Sequence, residues 1–568
     1  MTPLSINDLD LTPKPGKTYW KNGAREWREE FIYFLIVDRF HDNNARSPLE
    51  STGRTKGFGT EEELKKTCGG TLKGIQNNLG YIKDLGCTSL WLSPVFENNA
   101  TSYHGYAIQD YTVVDRRFGT SQDLADLVDA AHVMDMRVFL DIILHHSGDN
   151  WSYPNDEPYY YYNGATFPFG EWRFEDKPVP VEFRNPDLYW RKGQMRNYDA
   201  YPEAREGDFQ ALKSFKNDDS PESLYVQELL TKIHCYWIRE ADIDGFRLDS
   251  VKHMGEKWIS QFCSHVREYA FKLGKRNFFL FGELVGPEEM YNRYIGPKTS
   301  VQLEDTAIYY GLNSVLDFPL YHVLANVILG KSTPEKLIER YESLRKNAMS
   351  RGEFGEFLVT FIDNHDQVGQ NPKKRFGYDA TEAQIIAGMG FLLCALGTPC
   401  IYYGTEQGFQ GFGDDDWAVR EAMFSLEEPS KSALNKENFI YKEVACLANI
   451  RKNKAALKFG RMYMRETSHD GKTFQLPITH DCLLAFSRIL YDEEMLIVYN
   501  DSLTSIDEEY IVVDRHLNPE GSVFRYCYGA EGKVHVLKNE DGSRHFMKIA
   551  LKPGQFVILT NGDPDGIK

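Results

Sequence analysis

The residues with the most chemistry to offer are carboxylates, imidazoles and guanidinium groups that close short apolar runs. The run Asp242-Ile-Asp-Gly-Phe-Arg-Leu-Asp-Ser-Val-Lys-His253 begins as an alternating strand and ends by presenting Arg247, Asp249, Lys252 and His253 close together. Arg247 and Asp249 are two positions apart, so on an extended strand they leave the same face, where the guanidinium would keep the carboxylate ionised. A buried structural ion pair would look the same from this stretch alone. Other apolar runs end alike: Asp141 and His145-His146 follow Arg137-Val-Phe-Leu, Glu283 follows Phe278-Phe-Leu-Phe-Gly, and His365-Asp366 follow Phe361-Ile-Asp-Asn. Four carboxylates with imidazoles and a guanidinium at strand ends exceed what structural polar ends ordinarily supply.

The sequence has no Gly-rich phosphate loop, no Cys-x-x-Cys and no His-x-x-x-His pair, which leaves glycoside cleavage at the head of a short list. A retaining mechanism needs one ionised carboxylate as nucleophile and one protonated carboxyl as acid, about 5–5.5 Å apart. Arg247 suits Asp249 to the first role. The apolar run before Glu283 would raise its pKa and suit it to the second.

These residues need a scaffold that brings distant strand ends together. Phe31–Val37 is a continuous apolar run of the kind buried on both faces, and Thr88–Pro94 and Arg137–Leu144 repeat it, with helical spacing at Ile75–Leu85 and Leu124–Met134 between them. Further strands are predicted at Gly245–Asp249, Asn277–Glu283, Ser314–Phe318, Phe357–Asp363 and Pro399–Tyr403. Eight strands alternating with helices predict a closed (β/α)₈ barrel, whose active face lies at the strands' C-terminal ends. The predicted division is a lead-in at 1–28, the barrel at 29–146 and 216–455, an inserted subdomain at 147–215 after the third strand, and a C-terminal β-sandwich at 456–568, where short alternating strands and turn signals such as Asp541-Gly542 begin. The insertion carries Trp151, Tyr153, Tyr159–Tyr162, Phe167, Phe169 and Trp172, which serve either as stacking platforms for a ligand or as its own core.

Aromatic residues make up 14% of the chain, and the net charge of -18 argues against general attraction to phosphate backbones or anionic lipid. A neutral ligand suits it better, with no nucleic-acid or membrane partner. The nine cysteines are scattered, which predicts reduced core thiols, and no apolar run is long enough to span a bilayer. The N-terminus lacks a basic start and an apolar segment, which predicts a cytoplasmic protein unless a leader has been removed.

The segments Tyr103-His-Gly-Tyr-Ala-Ile-Gln-Asp-Tyr111, Asp141–His146, Asp244–His253, Gly282-Glu283 and Phe361–Asp366 resemble, in order, the motifs of the α-amylase family, glycoside hydrolase family 13. The resemblance spans roughly 30–455 and continues as that family's C-terminal sandwich. It implies that Asp249 is the nucleophile, Glu283 the acid/base and Asp366 the transition-state stabiliser. It further implies that Arg247, His146 and His365 hold sugar hydroxyls, that Tyr106 stacks on the sugar ring, and that Lys252 and His253 lie on the leaving-group side. The expected activity is hydrolysis of α-1,4 bonds in starch-like glucans or malto-oligosaccharides. A transglycosidase is the alternative, and a non-enzymatic binding protein on the same fold the more distant one. Two departures stand out. His145 takes the place of an Asn that ligates calcium in the family, and a hard cation prefers oxygen, so calcium is in doubt and no metal ligand is assigned. The acidic run Asp414–Asp416 reads as a solvated loop, and the family's short motif in the insertion has only Gly207–Lys213 as a counterpart.

Overall fold

The structure, a computed structural model, describes residues 2–21, 25–299, 308–351, 358–505 and 507–564. Eight parallel strands form the central sheet: β1 (Ile32–Leu35), β2 (Ser89–Leu92), β3 (Arg137–Ile142), β4 (Gly245–Leu248), β5 (Phe279–Gly282), β6 (Ser314–Val315), β7 (Val359–Thr360) and β8 (Thr398–Tyr402). Their order in the sheet follows the chain, β8 pairs with both β1 and β7, and a parallel bridge from Leu316 to Val359 closes the ring. The predicted barrel is the fold. Every residue of β1 to β5 is buried because helices cover the outside while side chains fill the inside. Phe357, the predicted start of the seventh strand, lies outside the described residues.

Local signals set where the elements begin. The helix Ser121–Val133 starts at a capping box between Thr120 and Asp123. The helix Pro221–Ala241 starts with Pro at its first position and stops at Asp242, whose φ of 60° is left-handed. The chain can then enter β4 at Gly245, where an added Cβ would sit 2.2 Å from the Phe279 carbonyl oxygen, so β4 and β5 need a glycine there to pair. The expected helix over Ile75–Leu85 is two short ones, Leu72–Asn77 and Leu79–Asp84, divided at Asn78.

The insertion leaves and returns at one place, since Lys213–Ser214 pairs antiparallel with His146–Ser147. Trp151, Tyr153 and Tyr189 are buried and pack on one another, with centroids 4.8 and 5.8 Å from Trp151, so they build the insertion's own core. Tyr160, Tyr162, Phe174 and Tyr201 are exposed. At the other end of the barrel, Trp20 of the lead-in stacks on His132 at 4.4 Å, and its backbone N–H donates to Asp242 Oδ2 at 2.9 Å.

Two antiparallel sheets follow the barrel and enclose Leu483, Leu496, Ile511, Phe524 and Met547. The outer face of one sheet, with Phe486, Ile497 and Phe556, merges into the barrel's core. Buried Arg488 and Arg451 donate to the carbonyls of Cys394, Ala395 and Leu393 at the end of the helix Glu382–Cys394. Cations at that end satisfy carbonyls that the helix leaves open and complement its dipole. All nine cysteines are free, and among the described residues no helix is long and apolar enough to cross a membrane.

Candidate active site

Arg247 lies at the centre of the barrel's C-terminal face with a fully buried side chain. Its Nη1 meets Asp141 Oδ1 and Asp249 Oδ1, both at 2.8 Å, and its Nη2 lies 3.0 Å from Glu283 Oε2. Strands β3, β4 and β5 run side by side, with Arg247 opposite both Asp141 and Phe281 in register, so the parallel pairing itself delivers three carboxylates to one guanidinium. After β4 the chain turns sharply at Ser250, where φ is 53°. That turn lets the Ser250 N–H donate to Glu283 Oε2 at 3.1 Å while its hydroxyl donates to Asp249 Oδ2.

The two carboxylates are driven apart. Burial would raise the Asp249 pKa, but the interactions led by the Arg247 charge and including the Ser250 hydroxyl together outweigh it and hold the group below its ordinary range. Burial pushes Glu283 up to about 8, the Asp249 and Asp366 charges add to that, and Arg247 opposes it. Asp141 is pushed by burial up to about 7 against the pull of Arg247. Burial also lowers His146 and His365, which are therefore neutral rings that can donate from one nitrogen and accept at the other.

Around this core the structure gathers every predicted site residue. The Tyr106 hydroxyl donates to Asp141 Oδ2 at 3.0 Å and lies 2.9 Å from His365 Nε2, and the two rings are near parallel with centroids 5.7 Å apart. His365 Nε2 is 3.2 Å from Asp366 Oδ2. A cleft of about 590 Å³ is lined by Tyr106, His146, Asp249, Glu283, Lys252, His253 and Asp366. His365 and Arg247 form its floor from behind, touching Tyr106, Asp366, Asp249 and Glu283.

Other groups at the cleft carried only a faint signal in the sequence. The Arg420 guanidinium meets Asp366 Oδ1 at 2.6 Å and Asp416 Oδ2 at 3.2 Å, while Lys373 lies 3.1 Å from Asp416 Oδ1. Asp416 is thus a cleft residue clamped by two cations, not part of a solvated loop, although Asp414 and Asp415 are exposed. The four-residue step from Asp416 to Arg420 was the available clue. A second cavity of about 450 Å³ shares Tyr106, Phe209, Gln210, Leu212 and Asp416 with the first and extends the cleft past Tyr103, His104 and Trp417. Within Gly207–Lys213, Asp208 is buried under the Tyr153 hydroxyl, whereas Phe209, Gln210 and Leu212 line the cleft.

The residues around His145 do not fit a hard cation. His145 is fully buried, and burial pushes its pKa well below the usual imidazole value, so it is neutral. Its Nε2 lies 3.3 Å from the Arg205 carbonyl oxygen, and its Nδ1 lies 3.4 Å from His146 Nδ1. The Arg205 guanidinium itself donates to Asn217 Oδ1 at 2.7 Å, and Asn217 Nδ2 donates to the His253 carbonyl at 3.3 Å. Neutral imidazole and a fixed guanidinium join the insertion to the barrel there, in place of the six to eight oxygens a calcium ion takes. Among the described residues, the one acidic and histidine trio compact enough for a metal is Asp129, His132 and Asp242, at the opposite end of the barrel.

The family model described as the α-amylase catalytic domain matches residues 34–443. An α-amylase of Streptomyces lividans is 29% identical over 94% of this chain and 62% of its own length, so the chain spans less than two thirds of that relative. A cyclomaltodextrin glucanotransferase of Klebsiella oxytoca is 27% identical over 79% of this chain and 68% of its own. Among solved structures, an Anoxybacillus α-amylase superposes with a TM-score of 0.69 at 26% identity, covering 94% of this chain and 98% of that one.

Proposed function

The chain belongs to the α-amylase family, and from that premise we propose that it is a retaining glycosidase that cleaves α-1,4-glucosidic bonds of starch-like glucans or malto-oligosaccharides. One observation carries the reading: a single guanidinium holds Asp249 and Glu283 at its two Nη atoms, yet Asp249 is kept ionised while Glu283 is pushed up to about 8. A nucleophile must be charged and an acid must hold its proton, and here one fold sets both at neutral pH. Two carboxylates on one guanidinium also suit the short separation of a double displacement, about 5–5.5 Å, better than the longer one of about 6.5–9.5 Å that leaves room for a water.

In this reading Asp249 attacks the anomeric carbon as Glu283 protonates the departing oxygen. Water deprotonated by Glu283 then releases the sugar. Asp366, oriented by Arg420 and His365, binds hydroxyls of the distorted ring, with His146 and His365 donating beside it and Tyr106 stacking below. The cleft's continuation beyond Tyr106 into the second cavity supports a substrate of several sugar units.

A transglycosidase, in which a second sugar replaces water, is the second reading. Its support is the similarity to a cyclomaltodextrin glucanotransferase and the apolar Val285 and Val368 beside Glu283 and Asp366 in the cleft. Product profiling on starch, pullulan, cyclodextrins and maltotriose tests both. Shorter linear products are expected, products longer than the substrate would favour transfer, and inertness toward all four would overturn the proposal.

A further inference from the structure

The inserted subdomain contributes a charged group to the cleft that the catalytic reading does not use. Lys252 projects from the short turn Val251–His253 that follows β4, and its side chain is 12% exposed. Its ammonium meets Asp199 Oδ1, the one ion-pair partner found for it among the described residues. Asp199 comes from the insertion and is 84% exposed, so most of its carboxylate faces the open cleft. It does not hang from a loose loop. Asn197 Oδ1 accepts from the Asp199 and Ala200 N–H groups at 3.0 and 3.1 Å, and Glu203 Oε1 accepts from the Asn197 N–H at 2.9 Å. Its neighbour Tyr198 packs on Phe209 at 5.5 Å and meets His253 edge-on at 6.4 Å.

The geometry also fixes which side of the scissile bond this pair serves. The Val251 N–H donates to the Glu283 carbonyl at 3.0 Å, so the Lys252 turn is built onto the strand end that carries the acid. Lys252, Asp199, Tyr198 and Val285 line the first cavity and are absent from the second, which holds the Tyr103, His104 and Arg420 side. The group that protonates the leaving oxygen faces the leaving sugar, so the pair lies along that sugar's path.

Resting on the proposed glycosidase reading, we infer that Asp199 is a specificity-determining residue on the leaving-group side, where its carboxylate and the Lys252 ammonium together bind hydroxyls of the departing or accepting sugar. An ammonium offers only donors, whereas sugar hydroxyls both donate and accept. A carboxylate fixed beside it supplies the missing acceptors, holds the long lysine chain in one place, and makes the bonds charge-assisted. Binding of a sugar remote from the reacting carbon then contributes to cleavage.

The experiment compares Asp199→Ala, Asp199→Asn and, as a control, Asp187→Asn, which alters an exposed pair of the insertion away from the cleft. The kcat/KM is measured for a malto-oligosaccharide, which places sugars on the leaving side, and for an α-maltosyl fluoride, which places none there, with thermal melting as the check on folding. Asp199→Ala should lose about tenfold or more on the oligosaccharide, the usual scale for a charge-assisted hydrogen bond, with the fluoride value within about twofold on that scale. Asp199→Asn should lose less, because an amide oxygen still accepts, and Asp187→Asn should match wild type on both. Equal losses on the two substrates, or none on either, would overturn the inference. Wild-type inertness toward both substrates would instead overturn the glycosidase reading beneath it.

Discussion

Replacing Glu283 by Gln separates the site's chemistry from its stability. The amide keeps the shape of the side chain, cannot give or take the proton, and carries no charge at any pH. Loss of a general acid typically lowers turnover by about 10²- to 10⁴-fold, and a malto-oligosaccharide, whose leaving group needs the proton, should show that loss in full. A sugar fluoride needs no proton to depart, so the variant should release fluoride in a burst and then stall, because the water step also needs Glu283 as base. Stability should move the opposite way. Burial raises Glu283 from 4.5 to about 8 in the folded protein, so the folded state favours the protonated carboxyl. That contribution is fully present below the unfolded value near 4.5 and is lost as pH rises through 8. At 1.36 kcal/mol per unit the loss approaches about 5 kcal/mol, and water at a side chain 13% exposed brings it toward about 2. The Gln variant escapes this cost. Its melting temperature should match wild type near pH 4.5 and exceed it by roughly 2 °C near pH 8.5. Near-wild-type turnover on the oligosaccharide, or a melting difference independent of pH, would refute the assignment of Glu283 as a protonated acid.

Other consequences follow from the same contacts. Asp249→Asn should lower turnover by ~10⁴-fold or more, the scale of removing a nucleophile, and, unlike the Glu283 variant, should give no burst with a sugar fluoride; a burst there would exclude Asp249 as the nucleophile. Arg247→Lys replaces a fork that reaches Asp141, Asp249 and Glu283 with a single ammonium. Because Arg247 lowers the pKa of both Asp249 and Glu283, both limbs of the pH profile of kcat/KM should move to higher pH, and a profile merely scaled down would show that Arg247 does not set them. Chelator treatment should change the melting temperature by no more than about 2 °C, since neutral His145 stands where the family resemblance would put a calcium ligand; a large drop, restored by added calcium, would show that the site binds the ion.

The barrel was legible because strands buried on both faces write themselves as unbroken apolar runs, and because the polar groups that close such runs have few structural uses. Arg247, Asp249 and Glu283 could be found that way, since each sits at or just past a strand end. Asp416, Arg420, Lys373 and Asp199 could not, for they arrive on loops whose composition is that of any solvated surface, and only the fold reveals that they face one cleft. The raised Glu283 pKa was expected from the sequence, but only part of its source was legible there. In the sequence the phenylalanines before Glu283 suggested an apolar pocket, but Phe279 and Phe281 point into the barrel and pack on Trp27, Phe139 and Trp91. What raises Glu283 is burial together with the charges of Asp249 and Asp366. Arg247 cannot balance Asp141, Asp249 and Glu283 at once, and Arg420 is already committed to Asp366 and Asp416. A site with more carboxylates than cations must retain protons, and Asp141 at about 7 and Glu283 at about 8 are where it retains them. Of these two, only Glu283 opens onto the cleft, since Asp141 is sealed beneath Tyr106 and Trp91. Burial, reinforced by the excess of negative charge, therefore creates the acid, and the packing over Asp141 decides which carboxyl can deliver its proton to a substrate.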